Sequence, residues 1–150
     1  HHTYDVYRST QEIAEREGLN EEDKTLVFTA SLYHDVGFIW QYHDNEPMAM
    51  DLVKQVLPDM DYTPEQVEIV ASIINSTKLT VEPQTLLERI MCDADHDYFG
   101  RSDYHVIADS LYRELGDHGE SMSDIEWVER QGSRNLICRS THSSSLIDSP

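Results

Sequence analysis

The sequence predicts an all-α domain, and three observations carry this prediction. Apolar residues recur at helical spacing in successive segments, whereas an alternation typical of a β-strand never extends over more than a few residues. Residues that cap and end helices stand between these segments. The length of 150 residues suits one domain, so we expect a compact bundle of about six or seven helices.

The first three helices have clear boundaries. The first is predicted over residues 3–17 and is expected to stop at Gly18. Asn20 caps the second helix, whose first turn is acidic where the helix dipole favours anions, and Gly37 allows it a sharp exit. The third helix is expected over residues 46–57, because a proline follows it.

The later helices are marked in the same way. Thr63 and Gln66 form a capping box that starts the fourth helix. The fifth follows Pro83, and its apolar face consists of Leu86, Leu87, Ile90, Met91 and Ala94. A sixth is expected over residues 102–115, and a second capping box, Ser123-x-x-Glu126, starts a short last helix.

The end of the chain differs in composition from the rest. From Gly132 onward the sequence is rich in serine and has no period. We therefore predict one domain over residues 1–131 and an irregular tail over residues 132–150. Because the chain opens inside a predicted helix, we expect the N-terminus to be truncated.

The chain is strongly acidic, with a formal net charge of −18. This charge argues against binding to a nucleic-acid duplex and against an anionic membrane surface. It also repels an anionic substrate at long range. Any phosphate chemistry would therefore need a local cation to reverse the field.

Composition also bears on the compartment. No apolar run approaches the roughly 20 residues of a membrane span, and no signal peptide is visible. The two cysteines, Cys92 and Cys138, make no disulfide framework and match no zinc ribbon. We expect a reducing, cytoplasmic location.

The apolar run from Ala30 to Trp40 contains an adjacent His34 and Asp35. Together they offer a nitrogen and an oxygen to a divalent metal. A buried carboxylate also requires a cationic neighbour, which a metal, an arginine or a lysine would provide. The alternative is a structural pair, such as a hydrogen bond at a helix end.

Two further segments supply similar groups. Asp95 lies beside the buried stripe of the fifth helix, although a solvated acidic helix end is the alternative for this segment. His2 shares the inward stripe of the first helix, although a frayed end is possible there too. With His34 and Asp35 they make a mixed nitrogen and oxygen site that leaves positions open on a six-coordinate metal.

The ordered set His2-Thr3-x-x-Val6, His34-Asp35 and Asp93-Ala94-Asp95 resembles the H…HD…D signature of the HD-domain metal-dependent phosphohydrolases. The segments 73–78 and 91–101 resemble a small stand-alone branch with a D-A-D-x-D-Y-x-G-R motif. This resemblance covers roughly residues 1–130 and implies a compact HD-domain helical bundle.

The resemblance implies a ligand set and an activity. The ligands would be His2, His34, Asp35 and Asp95, binding one divalent ion, which would be Mn, Mg, Co, Ni, Fe or Zn. The reaction would be hydrolysis of a phosphate ester in a small phosphorylated substrate, with nucleotides among the candidates.

Further roles follow from the same resemblance. Asp35 would also orient or deprotonate the attacking water. Lys78 would contact a phosphate, with Arg101 as a weaker candidate. Asp93 would contact a ligand histidine from behind, and Glu46 would act as an acid or base.

The chain departs from the family pattern at two positions. Asn45 and Thr77 stand where many HD domains carry additional histidines. Their absence argues for one metal rather than two, and against an oxygenase with two irons. Two classes without turnover also fit the sequence: a regulatory module that binds a metal or a nucleotide, and a plain helical interaction domain.

Overall fold

The structure is a computed structural model that describes residues 2–41, 44–78, 80–97, 108–110, 112, 113, 123 and 126. The chain divides into two compact units, His1–Asp95 and His96–Pro150, and the helices described below belong to the first unit.

The predicted sixth helix and the predicted domain boundary at residue 131 lie largely outside the described residues. In the second unit, the predicted capping box is present: the backbone N–H of Ser123 donates to Glu126 at 2.8 Å, and that of Glu126 donates to the Ser123 hydroxyl at 3.3 Å.

The first unit is built from α-helices and short 3₁₀ helices. The α-helices are α1 (His2–Arg16), α2 (Glu21–Tyr33), α3 (Asn45–Val56), α4 (Pro64–Asn75) and α5 (Leu86–Asp95). Short 3₁₀ helices follow α2 at Val36–Ile39 and α3 at Leu57–Met60. No strand occurs in the part of the chain that the structure describes, so the all-α prediction is confirmed.

Local sequence explains most helix boundaries. Asn20 accepts a hydrogen bond from the backbone N–H of Asp23 at 2.9 Å, as predicted for a cap. Gly18 has a φ of +66°, which favours glycine and ends α1. Thr63 and Gln66 form the predicted reciprocal capping box at the start of α4.

Gly37 has a different role from the predicted one. The α-helix ends earlier, at Tyr33, and Gly37 lies buried within the following 3₁₀ helix. A Cβ atom at this position would lie 1.9 Å from the backbone oxygen of Asn45. Glycine is therefore required at this position, because the backbone at the start of α3 lies too close to leave room for a side chain.

The core lies between the helices and is apolar. α1 packs on α2 and α5, α2 packs on α4 and α5, and α3 packs on α4. The largest fully buried apolar side chains are Val27, Val53, Leu57, Val70, Ile73, Ile74, Ile90 and Met91. Burial of each contributes about 1.5–3 kcal/mol to the hydrophobic stabilisation.

Two further observations concern the helix surfaces. Leu86, predicted on the apolar face of the fifth helix, is 40% exposed because it is the first residue of α5 and lies at the edge of the packed surface. Among the helices that the structure describes, none combines the length and the apolar character that spanning a bilayer requires.

Candidate metal centre

Three helix ends converge in the first unit and bring the four predicted ligands together. His2 is the first residue of α1, and Asp95 is the last residue of α5. His34 and Asp35 directly follow the last residue of α2. Because α1, α2 and α5 pack on one another, these side chains meet although they are far apart in sequence.

The side chains alternate nitrogen and oxygen at short range. The Nε2 atom of His34 lies 3.2 Å from Oδ2 of Asp35 and 3.5 Å from Oδ1 of Asp95. The Nε2 atom of His2 lies 3.4 Å and 3.1 Å from the same two oxygens. Ligand atoms at right angles around an ion, with bonds of about 2.1 Å, are separated by about 3 Å. The observed spacing therefore fits a shared divalent cation.

Exposure rises from one side of this cluster to the other. The side chain of His34 is 1% exposed, that of Asp35 is 27% exposed and that of His2 is 48% exposed. Asp95 is 17% exposed. The cluster is therefore closed behind His34 and open to solvent beside His2.

The imidazole of His34 is oriented by the helix that carries it. The last carbonyls of a helix lack partners within the helix. The backbone oxygen of Ser31, in the last turn of α2, lies 2.8 Å from Nδ1 of His34 and can only accept a hydrogen bond. Nδ1 therefore carries a hydrogen, and Nε2 of the neutral ring presents a lone pair to the carboxylates.

Nε2 of His34 is the polar atom of the cluster whose hydrogen bonding is unsatisfied among the described residues. It is buried, and it has no hydrogen-bond partner within the described part of the chain. A lone pair beside two carboxylates is repelled unless a positive charge lies between them. That charge must be a proton or a metal ion.

The titration of the two histidines follows from this geometry. Burial by itself lowers the pKa of His34, but the carboxylates of Asp35 and Asp95 outweigh burial and raise that pKa to about 10. Burial opposes the charge of His2 as well, and the same carboxylates raise its pKa. Two protonated imidazoles bring the same positive charge as one divalent cation between two neutral imidazoles. A divalent cation can therefore replace the two protons without changing the charge of the cluster.

The remaining predicted residues lie elsewhere or keep untested roles. Nζ of Lys78 lies 4.0 Å from Oδ1 of Asp44, so this cation faces a carboxylate in the structure. Glu46 lies in the first turn of α3, where the helix dipole favours a carboxylate. Burial, with smaller contributions from the charges of Asp95, Asp93 and Glu88, raises the pKa of the Cys92 thiol to about 12. The roles predicted for Lys78, Glu46 and Asp93 stay predictions, and Arg101 lies outside the described residues.

The two departures from the family pattern have structural positions. Asn45 is buried as the first residue of α3. The hydroxyl of Thr77 donates to the backbone oxygen of Ile74 at 2.8 Å. Sequence reasoning did not anticipate the carbonyl of Ser31, and the only signal for it was its position three residues before His34 at a helix end.

The fold and the cluster define a class of protein: an all-α bundle in which helix ends bring two imidazoles and the carboxylate of Asp35 close enough to hold a divalent cation, with Asp95 beside the imidazoles. The chain belongs to the HD domain family, whose model matches residues 1–98, about two thirds of the sequence. Members of this family bind divalent metals and are commonly metal-dependent hydrolases. Neither the curated proteins nor the solved structures compared with the chain gave a match.

Proposed function

We propose that the chain is a metal-dependent phosphohydrolase that cleaves a phosphate ester, either a phosphodiester or a nucleotide, with water. The observation that carries the proposal is Nε2 of His34, which is buried between two carboxylates while Nδ1 is engaged by Ser31. This atom requires a positive charge, and the family supplies the expectation that the charge is a metal.

His2, His34, Asp35 and Asp95 would hold the cation. When bound there, a divalent cation polarises a phosphoryl oxygen and lowers the pKa of a coordinated water. The mixed nitrogen and oxygen set suits Mn²⁺, Fe²⁺, Co²⁺, Ni²⁺ or Zn²⁺, with Mg²⁺ as the harder alternative. Asn45 and Thr77, in the positions of additional histidines, favour one ion.

Asp35 would have a second role through its other oxygen. Oδ2 of Asp35 lies 3.4 Å from Nε2 of His2 and 3.2 Å from Nε2 of His34. Oδ1 is then left to orient the attacking water or to take its proton. At 27% exposure, this carboxylate is accessible to a water that His34 cannot reach.

The substrate would approach from the side of His2. This side is open, whereas His34 closes the other. Lys78 would contact the phosphate after leaving Asp44, and their separation of 4.0 Å with Asp44 82% exposed makes this ion pair weak. Glu46 would act as an acid or base, and Asp93 would support a ligand histidine.

The proposal is tested by metal analysis combined with hydrolysis assays. The purified chain is stripped with a chelator, reloaded with each divalent ion, and assayed with bis(p-nitrophenyl) phosphate and a panel of nucleotides. We expect one ion per chain and metal-dependent hydrolysis. Asp35→Asn and His34→Gln should lose both, while Asp51→Asn, an exposed residue of α3, should keep both.

Other results would contradict the proposal in distinguishable ways. If Asp35→Asn keeps full metal content and full turnover, the assignment of the metal site is wrong. A bound metal without hydrolysis of any ester would indicate a regulatory module, and two irons per chain would indicate an oxygenase. Metal analysis without any bound ion would indicate a helical interaction domain.

A further inference from the structure

The basic side chains of the first unit are few and already engaged. Residues 1–95 contain nineteen acidic residues and only six basic ones. Four of the basic side chains face carboxylates: Arg8 faces Glu12, Lys24 faces Glu15 and Glu21, Lys54 faces Glu68, and Lys78 faces Asp44. Arg16 and Arg89 donate to the backbone oxygens of Glu12 and Gln84. No basic side chain of this unit is therefore without a partner in the described chain.

The candidate metal centre adds no net positive charge. The carboxylates of Asp35 and Asp95 balance a divalent cation, and both histidines are neutral when they bind a metal. Residues 96–150 do not change the sign of the field, since they contain ten acidic and five basic residues. Apart from Lys78, which is proposed above to contact the phosphate, a negatively charged substrate therefore meets no unbalanced positive charge among the described residues at a site within a chain of net charge −18.

Resting on the phosphohydrolase function proposed above, we propose that this site selects singly charged phosphodiesters over doubly charged phosphomonoesters. Each additional negative charge on the substrate meets the repulsion of the whole chain. For a domain of this size, that repulsion lowers the encounter with the site about tenfold per charge at 0.1 M salt, and more at 0.01 M. The selection acts through charge and therefore weakens as salt increases.

The ionic-strength dependence distinguishes this proposal from ordinary substrate preference. We compare bis(p-nitrophenyl) phosphate, with one negative charge, and p-nitrophenyl phosphate, with two at pH 8. Values of kcat/KM are measured from 10 to 300 mM salt, with metal content checked at each concentration. We expect kcat/KM to rise with salt for both esters, more steeply for the monoester, and the diester to be preferred at least about tenfold at 10 mM.

A charge variant and a binding measurement support the kinetic test. Glu17→Gln, Asp59→Asn and Glu82→Gln are combined, because all three residues are exposed or half-buried at the surface and no basic side chain described above pairs with them. At 10 mM salt, this variant should raise kcat/KM severalfold for the monoester and by a smaller factor for the diester. At 300 mM salt, kcat/KM should be unchanged for both esters. Calorimetric binding should likewise favour diphenyl phosphate over phenylphosphonate at 10 mM salt, independently of turnover.

The outcomes separate the two proposals. Hydrolysis of neither ester and of no nucleotide in the panel, with any divalent ion, would contradict the phosphohydrolase function itself. Hydrolysis with kcat/KM that is constant or falls as salt increases would overturn the charge selection and leave the phosphohydrolase function standing. An unchanged kcat/KM in the triple charge variant at 10 mM salt would also overturn the charge selection.

Discussion

Helix α5 contains Glu88 near its start and Asp95 as its last residue, and these two carboxylates have different surroundings. Near its start, Glu88 accepts hydrogen bonds from the backbone N–H groups of Gln84 at 2.7 Å and Thr85 at 3.0 Å, and from the Ser72 hydroxyl at 2.6 Å. At its end, Oδ1 of Asp95 faces the Nε2 atoms of His2 and His34 at 3.1 and 3.5 Å.

The difference lies in what the neighbours can donate. The partners of Glu88 are N–H and O–H groups that always carry hydrogen. Burial disfavours its charge, but these donors outweigh burial and lower the pKa of Glu88. The imidazole nitrogens beside Asp95 become positive only when they bind a proton or a metal. Fixed donors around a carboxylate thus indicate a structural acid, whereas imidazoles that gain positive charge only with a proton or a metal are suited to an ion site.

The largest effect should appear when the two acids are exchanged for amides. We expect Asp95→Asn to weaken metal binding by at least about 100-fold, because loss of an outer partner of a ligand already costs about 10–100-fold. Glu88→Gln should change metal binding by less than about twofold. Titration calorimetry of the chelator-treated proteins measures the metal affinity of each variant. Similar losses of affinity in the two variants would contradict the distinction between a structural acid and an acid of an ion site.

Folding stability should show the opposite order: loss of the Glu88 side chain should lower the free energy of unfolding more than loss of the Asp95 side chain. Glu88→Ala removes the side chain that accepts from Gln84, Thr85 and Ser72, although the Thr85 hydroxyl still caps α5. This loss should lower the free energy of unfolding by about 1–2 kcal/mol. Metal-free Asp95→Ala should lower it less at a pH above about 10, where His34 has lost its extra proton and the mutation relieves repulsion between two carboxylates. Urea unfolding of the stripped proteins gives the comparison, and a greater loss in Asp95→Ala would reverse it.

The free energy of unfolding should depend on pH differently in the wild type and in Glu88→Gln. Because the folded-state pKa of Glu88 is lowered from its ordinary value of 4.5, its contribution is fully present above 4.5. That contribution is lost as the pH falls through the folded-state pKa. The difference in unfolding free energy between wild type and Glu88→Gln should therefore shrink below pH 4.5. A difference that stays constant down to the acid transition would show that charge is not its source.

The smallest effect should come from an exposed ion pair. Nζ of Lys54 lies 2.9 Å from Glu68, and the two side chains are 40% and 67% exposed. Solvent screens such a pair, so Glu68→Gln should change the free energy of unfolding by less than about 0.5 kcal/mol. A loss as large as that of Glu88→Ala would mean that proximity to a cation, and not burial with fixed donors, decides which acids stabilise the fold.

Local chemistry made most of the helix boundaries predictable. The caps at Asn20 and Thr63 depend on side chains within three residues, so the sequence contains the full signal. Thr85-x-x-Glu88 carries the same signal, although it is not among the predicted caps. The 3₁₀ helix at Val36–Ile39 was not predicted, and neither was the close approach of Asn45 to Gly37 within it, because no cap or periodic pattern specifies either.

The candidate site was predictable in its residues and not in its geometry. Residue types, helical facing and the family resemblance selected His2, His34, Asp35 and Asp95. The near-complete burial of the His34 side chain, which is 1% exposed, arises from tertiary packing, which no local pattern contains. The prediction that each residue binds a metal stays open to the experiments described above.

The partner that orients His34 belongs to the main chain. Ser31→Ala would delete the hydroxyl bond to the backbone oxygen of Phe28, yet the carbonyl that holds Nδ1 would remain. No change of amino-acid type at position 31 removes that acceptor. The direction of the ring thus depends on the path of the last turn of α2 and not on the side-chain chemistry of its partner.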